Sequence, residues 1–227
     1  MIGRPGIAAQ MFQTLADAGV NLEMISTSEV KVSCVIAAAD GDRAIRALCD
    51  GFDLNASRLP PKQAVNAPPV RGVALDRSQA ELAIRHIPDR PGMAAHIFSL
   101  LAQAKVSVDM IIQSQRCRIL KGEPTRDLAC TIAQADITAA ENVLAPVVQG
   151  WPSGELVLNP QIAKVSVVGA GMINQPGIAA QMFQALADAQ INIQMITTSE
   201  IKISCVVAEA DGEAALKAVH QAFGLAG

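Results

Sequence analysis

The chain has 227 residues, a formal net charge of −3 and a composition that is 51% hydrophobic, with one Trp, five Phe and no Tyr. This length allows one to three domains, and no apolar run approaches the about 18 residues that a membrane-spanning helix needs. Lys and Arg do not cluster and no secretory signal is recognisable, so we expect a cytoplasmic protein without a nucleic-acid or membrane partner.

The first predicted element is a helix that begins within "PGIAAQMFQ" (5–13). Apolar residues between Ala8 and Leu15 recur at i, i+3, i+4 and i+7, which places them on one face of a helix. Two strand-like runs follow, "VNLEMIST" and "VKVSCVIA", with a tight connection between them. A second amphipathic helix, "DGDRAIRALCDGF", closes a first repeat that we place at residues 1–57.

A proline-rich segment separates this repeat from the rest of the chain. Residues 58–72 contain four Pro and no apolar period, which predicts a linker. We place a second repeat at 73–158, where the strand-like runs "AELAIRHIP" and "GELVLN" lie near its two ends. A third repeat, 159–227, begins with the strand-like run "IAKVSVVGAGM". The chain is therefore predicted to contain three units of similar size.

Self-similarity supports this division. Met1–Gly41 aligns without a gap on Met172–Gly212, and only 12 of the 41 positions differ. Residues 89–114 follow 3–28 at an offset of 86. A complete unit reads strand–helix–strand–strand–helix–strand, which predicts an α+β fold of tandem ferredoxin-like βαββαβ domains, each an antiparallel sheet with helices on one face. The first repeat lacks the opening strand, so the chain is expected to begin inside a domain.

The start of the first helix in the second repeat is a candidate ligand-binding site. Backbone N–H groups at a helix start stabilise an anion, and Asp89 and Asp109 lie nearby in the sequence. A carboxylate beside free N–H groups matches the ammonium and carboxylate groups of a free amino acid. On residue type alone, the alternative is that Asp89 caps the helix and Asp109 is solvated.

Other motifs favour structural roles. The Gly-x-Gly of "VVGAGM" (167–172) lacks the third glycine of a dinucleotide fingerprint and is interpreted as a tight turn. Cys34 and Cys205 lie in strand-like runs and are interpreted as small buried hydrophobic residues. The sequence contains no catalytic triad, metal-ligand set or phosphate loop, so neither a cofactor nor a metal site is predicted.

Two long strings resemble a known family. The segment from "KVSVVGAGMINQPGIAAQMFQ" to "TTSEIKISCVV", together with "HIPDRPGMAAHIFSLLAQAKVSVDMIIQS", is similar to the C-terminal regulatory region of aspartate kinases. That region consists of ACT domains, ferredoxin-like units that bind amino acids, and the resemblance covers nearly the whole chain. It implies that the three repeats correspond to the second, third and fourth modules of a four-module version. The kinase domain and the first module lie outside this sequence.

The resemblance also implies a ligand and its site. Lysine or threonine would bind between two modules and mediate feedback inhibition, without a cofactor. The residues implied in the second repeat are Asp89, Gly92, Ala94, Asp109, Met110 and Gln113, and those in the third are Asn192, Ile193 and Ser199. Asn21, Leu22 and Ser28 are the matching residues of a second candidate site, whose partner repeat is expected to be absent from the chain.

Two further expectations concern activity and assembly. Alone, the chain is expected not to phosphorylate aspartate, and its partners would be free lysine or threonine, a second copy joined through the ACT sheets, and an aspartate kinase catalytic subunit. The competing hypothesis is a structural one, in which the chain is a dimerisation or assembly module that binds no ligand.

Overall fold

A computed structural model describes residues 6–28, 31–54, 70–113, 117–170, 172 and 175–225. Within these ranges the helices are α1 (Ile7–Asp17), α2 (Gly41–Gly51), α3 (Met93–Gln103), α4 (Ile137–Gln149), α5 (Ile178–Asp188) and α6 (Gly212–Ala222). The strands are β1 (Met24–Ser28), β2 (Lys31–Val35), β3 (Gly72–Asp76), β4 (Gln79–Pro88), β5 (Val108–Gln113), β6 (Arg118–Leu120), β7 (Glu123–Ala133), β8 (Glu155–Asn159), β9 (Ile162–Val168), β10 (Met195–Thr198) and β11 (Lys202–Ala208). The predicted α+β fold is confirmed. The pairs β1–β2, β1–β5, β3–β9, β4–β8, β5–β7, β6–β7, β9–β11 and β10–β11 are antiparallel.

The chain folds as two compact units that do not follow the repeat order. One contains the described residues of Met1–Leu59 with Ala80–Asn159, and the other those of Pro60–Gln79 with Pro160–Gly227. The first unit therefore combines the first and second repeats. The second unit combines the third repeat with part of the segment that precedes the second.

The first unit is built on one sheet with the strand order β2-β1-β5-β7-β4-β8, and β6 pairs with β7. Strands β5, β7, β4 and β8 complete the ferredoxin-like order of the second repeat. The first repeat adds β1 and β2 to this sheet, and Ser26 of β1 lies opposite Ile112 of β5. The two repeats are thus joined side by side through their equivalent strands.

Helices α1 and α3 pack together over this sheet. Phe12 of α1 and Phe98 of α3 are almost fully buried, and their ring centroids are 5.2 Å apart at an interplanar angle of 52°. A tilted aromatic pair at this distance contributes about 1 kcal/mol beyond the area it buries. Both rings belong to a hydrophobic core shared by the two repeats, so neither repeat of this unit buries its apolar residues alone.

The second unit has the strand order β10-β11-β9-β3. Strand β9 is buried along most of its length, as expected of a central strand between two neighbours. Strand β3 occupies the position of the last strand of the ferredoxin order, and Ala74 lies opposite Ser166 of β9. The sequence boundary at 73 assigns this strand to the second repeat, and the predicted linker 58–72 reaches into it. The structure corrects both limits, because Gly72–Asp76 pairs with the third repeat.

An ion pair supports the position of β3. Lys164 of β9 is 94% buried in the fold, and its Nζ lies 3.5 Å from Oδ2 of Asp76. Burial would raise the pKa of the Asp76 carboxyl, but hydrogen bonds from Ser78 and the charge of Lys164 together lower it below its usual value. The charged form of Asp76 is therefore favoured in the folded protein.

Aligned residues of the first and third repeats have different surroundings. Ile25 of β1 is fully buried beside β5, whereas Ile196 at the aligned position of β10 is 41% exposed. Ile201 and Val168 are also exposed to 40% and 37%. The same local sequence therefore forms an interior strand in the first unit and a strand at the end of the sheet in the second.

The burial predicted for the two strand cysteines is confirmed for Cys205 and only in part for Cys34. Cys205 is fully buried and Cys34 is partly buried, and desolvation raises the pKa of each thiol to about 12. Both thiols are therefore protonated at neutral pH and are poor nucleophiles. Within the described ranges, no helix has the length and apolar character needed to cross a membrane, and no cluster of His, Cys, Asp and Glu suited to a metal ion occurs there.

Candidate functional site

A small cavity of about 30 Å³ lies in the first unit, where the first and second repeats meet. It is bordered by the loop before β1, the start of α3, and residues of β4, β5 and β7. Its described lining includes Phe12, Val20, Asn21, Leu22, Ile87, Asp89, Gly92, Ala94, Gln113, Arg126 and Leu128. The site thus has an apolar floor and a group of polar side chains contributed by both repeats.

The start of α3 forms one wall. Gly92 at the N-cap has φ 92°, a left-handed conformation that glycine adopts without strain. No side chain caps the helix, and the first-turn residues Met93 and Ala94 line the cavity. Main-chain N–H groups in the first turn of a helix lack partners within the helix, and they favour an anion. This wall is suited to a carboxylate.

Asp89 supplies the negative charge of the site. Its Oδ1 lies 2.8 Å from Nε of Arg126 and accepts a hydrogen bond of 3.4 Å from Nδ2 of Asn21. The side chains of Asp89 and Arg126 are only 13% and 14% exposed. An ion pair this sheltered from water interacts more strongly than one on the surface.

Two side chains of the second repeat bond to the main chain of the first. Arg126 donates a hydrogen bond from Nη1 to the carbonyl oxygen of Glu23 at 2.9 Å, and Gln113 donates from Nε2 to the carbonyl oxygen of Leu22 at 3.0 Å. Both acceptors precede β1 directly. The polar residues of the cavity therefore also hold the two repeats together.

A larger surface depression of about 340 Å³ adjoins the same helix start. It shares Asp89 and Arg90 with the smaller cavity and is bordered by Glu123 and Trp151. Its rim is exposed at Glu123 and Arg90. The start of α3 is thus bordered by a polar, solvent-facing surface as well as by the cavity.

The structure brings together half of the residues that the sequence singles out. Those that line the cavity are Asp89, Gly92, Ala94, Gln113, Asn21 and Leu22. Asn21 and Leu22 were expected to form a second site without a partner repeat. The structure corrects this expectation, because the second repeat of the same chain supplies the partner residues.

Two predicted residues of β5 have other contacts. The main-chain oxygen of Asp109 accepts a hydrogen bond of 3.0 Å from Oγ1 of Thr27. Met110 is buried, and its N–H donates to Oγ1 of Thr131 at 3.2 Å. Neither residue lines this cavity. Ser28 is the last residue of β1, and its side chain lies outside the described part.

The three predicted residues of the third repeat belong to the second unit. Asn192 is exposed and Ile193 packs against the core of that unit. Oγ of Ser199 donates to the carbonyl oxygen of Lys202 at 3.3 Å, and so closes the turn between β10 and β11. These positions align with Asn21, Leu22 and Ser28 of the first repeat.

Sequence reasoning missed Arg126. A signal for it exists in the internal alignment, since the positions aligned with Arg126 hold Val30 in the first repeat and Ile201 in the third. Only the second repeat has a charged residue there. In the ferredoxin order, the start of β7 lies beside the end of β4, which places Arg126 next to Asp89.

Comparison with known proteins gives a consistent result. A profile of the ACT domain matches residues 1–52, 75–146 and 165–223. An aspartokinase of Thermus thermophilus is 45% identical over 161 residues, which are 69% of this chain and 38% of that protein.

Solved structures agree with the sequence matches. The crystal structure of aspartate kinase from Synechocystis matches with a TM-score of 0.92 and 62% identity, over 100% of this chain and 38% of that one. The ligand-free regulatory subunit of aspartate kinase from Thermus thermophilus matches with a TM-score of 0.62 and 44% identity, over 69% of this chain and 99% of the subunit. The present chain thus spans 38% of the two longer relatives and nearly the whole of the regulatory subunit.

Proposed function

We propose that this chain binds free lysine or threonine and mediates feedback inhibition. The premise is that the chain belongs to the ACT-domain family and is a regulatory region of the aspartate kinase type. The proposed site is the cavity of the first unit. The observation that supports it most is the position of the Asp89 carboxylate beside the uncapped start of α3.

The charges of this site suit a zwitterion. The ligand's ammonium group would bind to Asp89, and its carboxylate would accept hydrogen bonds from main-chain N–H groups near Ala94. The amides of Asn21 and Gln113 would bind the remaining polar atoms. A charged group in such a sheltered site needs an opposite charge or several hydrogen bonds. Asp89 would supply the opposite charge for the ammonium group, and the N–H groups of α3 would supply the hydrogen bonds for the carboxylate.

Calorimetry of the 227-residue protein with lysine and with threonine tests this proposal. Asp89→Asn is expected to weaken binding at least about tenfold, because it removes the partner of the ammonium group. Asp50→Asn, on the exposed side of α2, is the matched control and should bind as the wild type does. If neither amino acid binds, or if Asp89→Asn binds equally well, this site is not an amino-acid site.

Feedback control requires a catalytic partner. A ligand shifts an enzyme between active and inactive arrangements only by its differential affinity for them. We propose that the chain regulates an aspartate kinase catalytic domain or subunit, and that alone it forms no aspartyl phosphate. The assay is ATP-dependent phosphorylation of aspartate by the pure chain, and by a catalytic subunit with and without the chain, across a lysine or threonine titration.

The exposed residues near β10 favour a second role, in assembly. In the first unit the equivalent strand β1 is covered by β5, and Ile25 is fully buried there. Ile196 of β10 is 41% exposed, so pairing with another chain would bury it in the same way. We propose a homodimer through β10, in which Asn192, Ile193 and Ser199 belong to a second amino-acid site between chains.

Sedimentation tests the assembly proposal. Ile196→Lys should dissociate the dimer, because an exposed charge on this strand opposes pairing. Ile45→Lys is the control, since Ile45 lies on α2 and is 63% exposed. A dimer that persists in the Ile196 variant, or a monomeric wild type, contradicts pairing through β10. Association that is independent of amino acids, together with an absence of binding, would favour the purely structural hypothesis.

A further inference from the structure

Arg126 already provides Asp89 with a positive partner. Its Nε lies 2.8 Å from Oδ1 of Asp89, and both side chains are almost enclosed. The ammonium group of an amino acid that bound Asp89 would need the same carboxylate. The guanidinium and the ammonium would therefore compete for one acceptor.

An amino acid enclosed in the cavity would require some group to move. A volume of about 30 Å³ accommodates about one or two water molecules, and a free amino acid is several times larger than water. Much of the remaining lining consists of main chain, Gly92, Ala94 and core side chains such as Phe12, which is 1% exposed. Arg126 has the long, unbranched and flexible side chain whose rotation would open the space.

In the internal alignment, the carboxylate of Asp89 and the cation of Arg126 occur in the same repeat and are absent from the aligned positions of the other two. The positions aligned with Asp89 hold Gly3 and Asn174, and those aligned with Arg126 hold Val30 and Ile201. Only the second repeat has a carboxylate at the first of these positions and a cation at the second. The cation is thus matched to the acid and is not a general requirement of the fold.

Arg126 also connects the two repeats. The guanidinium that lies against Asp89 donates from Nη1 to the carbonyl oxygen of Glu23 at 2.9 Å. A rotation of the side chain away from Asp89 would remove this hydrogen bond as well. Occupation of the cavity would therefore alter a direct link between the second repeat and the main chain that leads into β1.

We propose that Arg126 is an internal cation in the ammonium subsite, which an amino acid displaces when it binds, and that this displacement releases the hydrogen bond to Glu23. The inference rests on the proposed function, since it assumes an amino acid in this cavity. It makes Arg126 a positioning residue that lowers ligand affinity and couples binding to the contact between repeats.

The test is calorimetry of the 227-residue protein with lysine and with threonine at pH 7.5. Arg126→Met removes the competing charge but keeps much of the side-chain length, and it should bind the amino acid about tenfold more tightly than the wild type. Arg126→Lys retains a cation and should bind nearly as the wild type does. The control is Arg85→Met, because Arg85 forms a half-exposed ion pair with Glu155 at 3.3 Å and lies outside the cavity lining.

A double variant separates competition from a merely structural effect. If Arg126 acts on Asp89, the gain from Arg126→Met should vanish when Asp89 is also replaced by Asn. Thermal unfolding followed by circular dichroism shows that each variant is folded. If the Met variant does not fold, Arg126→Ile takes its place, since the third repeat has Ile at the aligned position.

The binding results distinguish failure of the inference about Arg126 from failure of the proposed function. Weaker binding by folded Arg126→Met would show that the guanidinium binds the ligand's carboxylate, and unchanged binding would show that it does not compete; either result overturns the inference and leaves the proposed function intact. Binding by neither the wild type nor the Met variant overturns the proposed function itself. Tighter binding by the Met variant, lost in the double variant, supports both.

Discussion

Gln113 of the second repeat donates a hydrogen bond to the carbonyl oxygen of Leu22 in the first repeat. The aligned residue Thr27 of the first repeat donates one to the main chain of the second repeat. Oγ1 of Thr27 donates to the carbonyl oxygen of Asp109 at 3.0 Å and accepts from the N–H of Ile111 at 2.7 Å. Residues at one alignment position thus link the repeats in both directions.

Gln113→Leu should weaken both the interface and the proposed ligand site. The substitution leaves the Leu22 carbonyl without this donor, so we expect the free energy of unfolding to fall by about 1 kcal/mol. Amino-acid affinity should fall about tenfold, because the amide also lines the cavity. Urea unfolding and calorimetry measure the two effects. Gln13→Leu, on the exposed side of α1, is the control; equal results for both variants would contradict the assigned role.

Thr27→Val should destabilise the first unit by about 2 kcal/mol. Valine has nearly the same shape, but it cannot bond to Ile111 or Asp109, and a buried polar group without a partner is costly. The aligned substitution Thr198→Val is the matched control, because Thr198 is exposed in β10 and should change stability by less than about 0.5 kcal/mol. Urea unfolding compares the two. A cost at Thr198 equal to that at Thr27 would show that the loss does not arise from contact between repeats.

The sequence predicts the elements well but not which strands become neighbours. Periodicity and repetition predict the helix that contains Phe12, the strands around Cys34 and Cys205, and the ferredoxin order. Met24–Ser28 and Met195–Thr198 have almost the same sequence, yet one is interior and the other lies at the end of its sheet. Local sequence is the same in both, so this choice depends on long-range packing that periodicity does not report.

Part of the cavity lining was also predicted from the sequence. Asp89, Gly92 and Gln113 were identified from the helix start and the family pattern, and they line one cavity. Their partners were assigned to the third repeat, because the family resemblance implied that the second and third repeats form a pair. Arg126 was missed because it is one of three Arg residues in a polar hairpin. Its position next to Asp89 becomes apparent only when β7 is placed beside β4.

Gly212→Ala should destabilise the second unit, whereas the aligned Gly41→Ala should not. A Cβ at Gly212 would lie 2.9 Å from Cβ of Ala163 and 3.3 Å from Cδ1 of Leu75, which requires β9 or β3 to shift. We expect a cost of about 1–3 kcal/mol. A Cβ at Gly41 meets nothing within 4 Å, so that variant should be neutral or slightly more stable. Thermal unfolding of both proteins tests this contrast, and a tolerated Gly212 variant would argue against the observed packing of α6.

Asp76→Asn should make the second unit less stable in a pH-dependent manner. The folded protein lowers the pKa of Asp76, so its stabilising contribution is present above the unfolded value of about 3.9 and is lost as the pH falls through the folded pKa. The partly exposed pair should contribute at most about 1 kcal/mol. Unfolding free energies of the variant and the wild type should differ at pH 6, begin to converge near pH 4 and meet below the folded pKa of Asp76.

The control for this measurement is Glu213→Gln. Glu213 pairs with Arg77 at 3.1 Å, but both side chains are largely exposed, so we expect a smaller effect than at Asp76. A difference between wild type and Asp76→Asn that stays constant from pH 6 to pH 3 would show that the carboxylate charge is not what stabilises β3.

Strand β3 has a consequence for biosynthesis. Gly72–Asp76 leaves the ribosome long before its partner β9, since the whole second repeat is translated in between. The segment therefore cannot form its native pairing until the third repeat emerges, whereas the first unit contains no residue beyond Asn159. Synthesis proceeds at about 5–20 residues per second, so this strand is made several seconds before its partner.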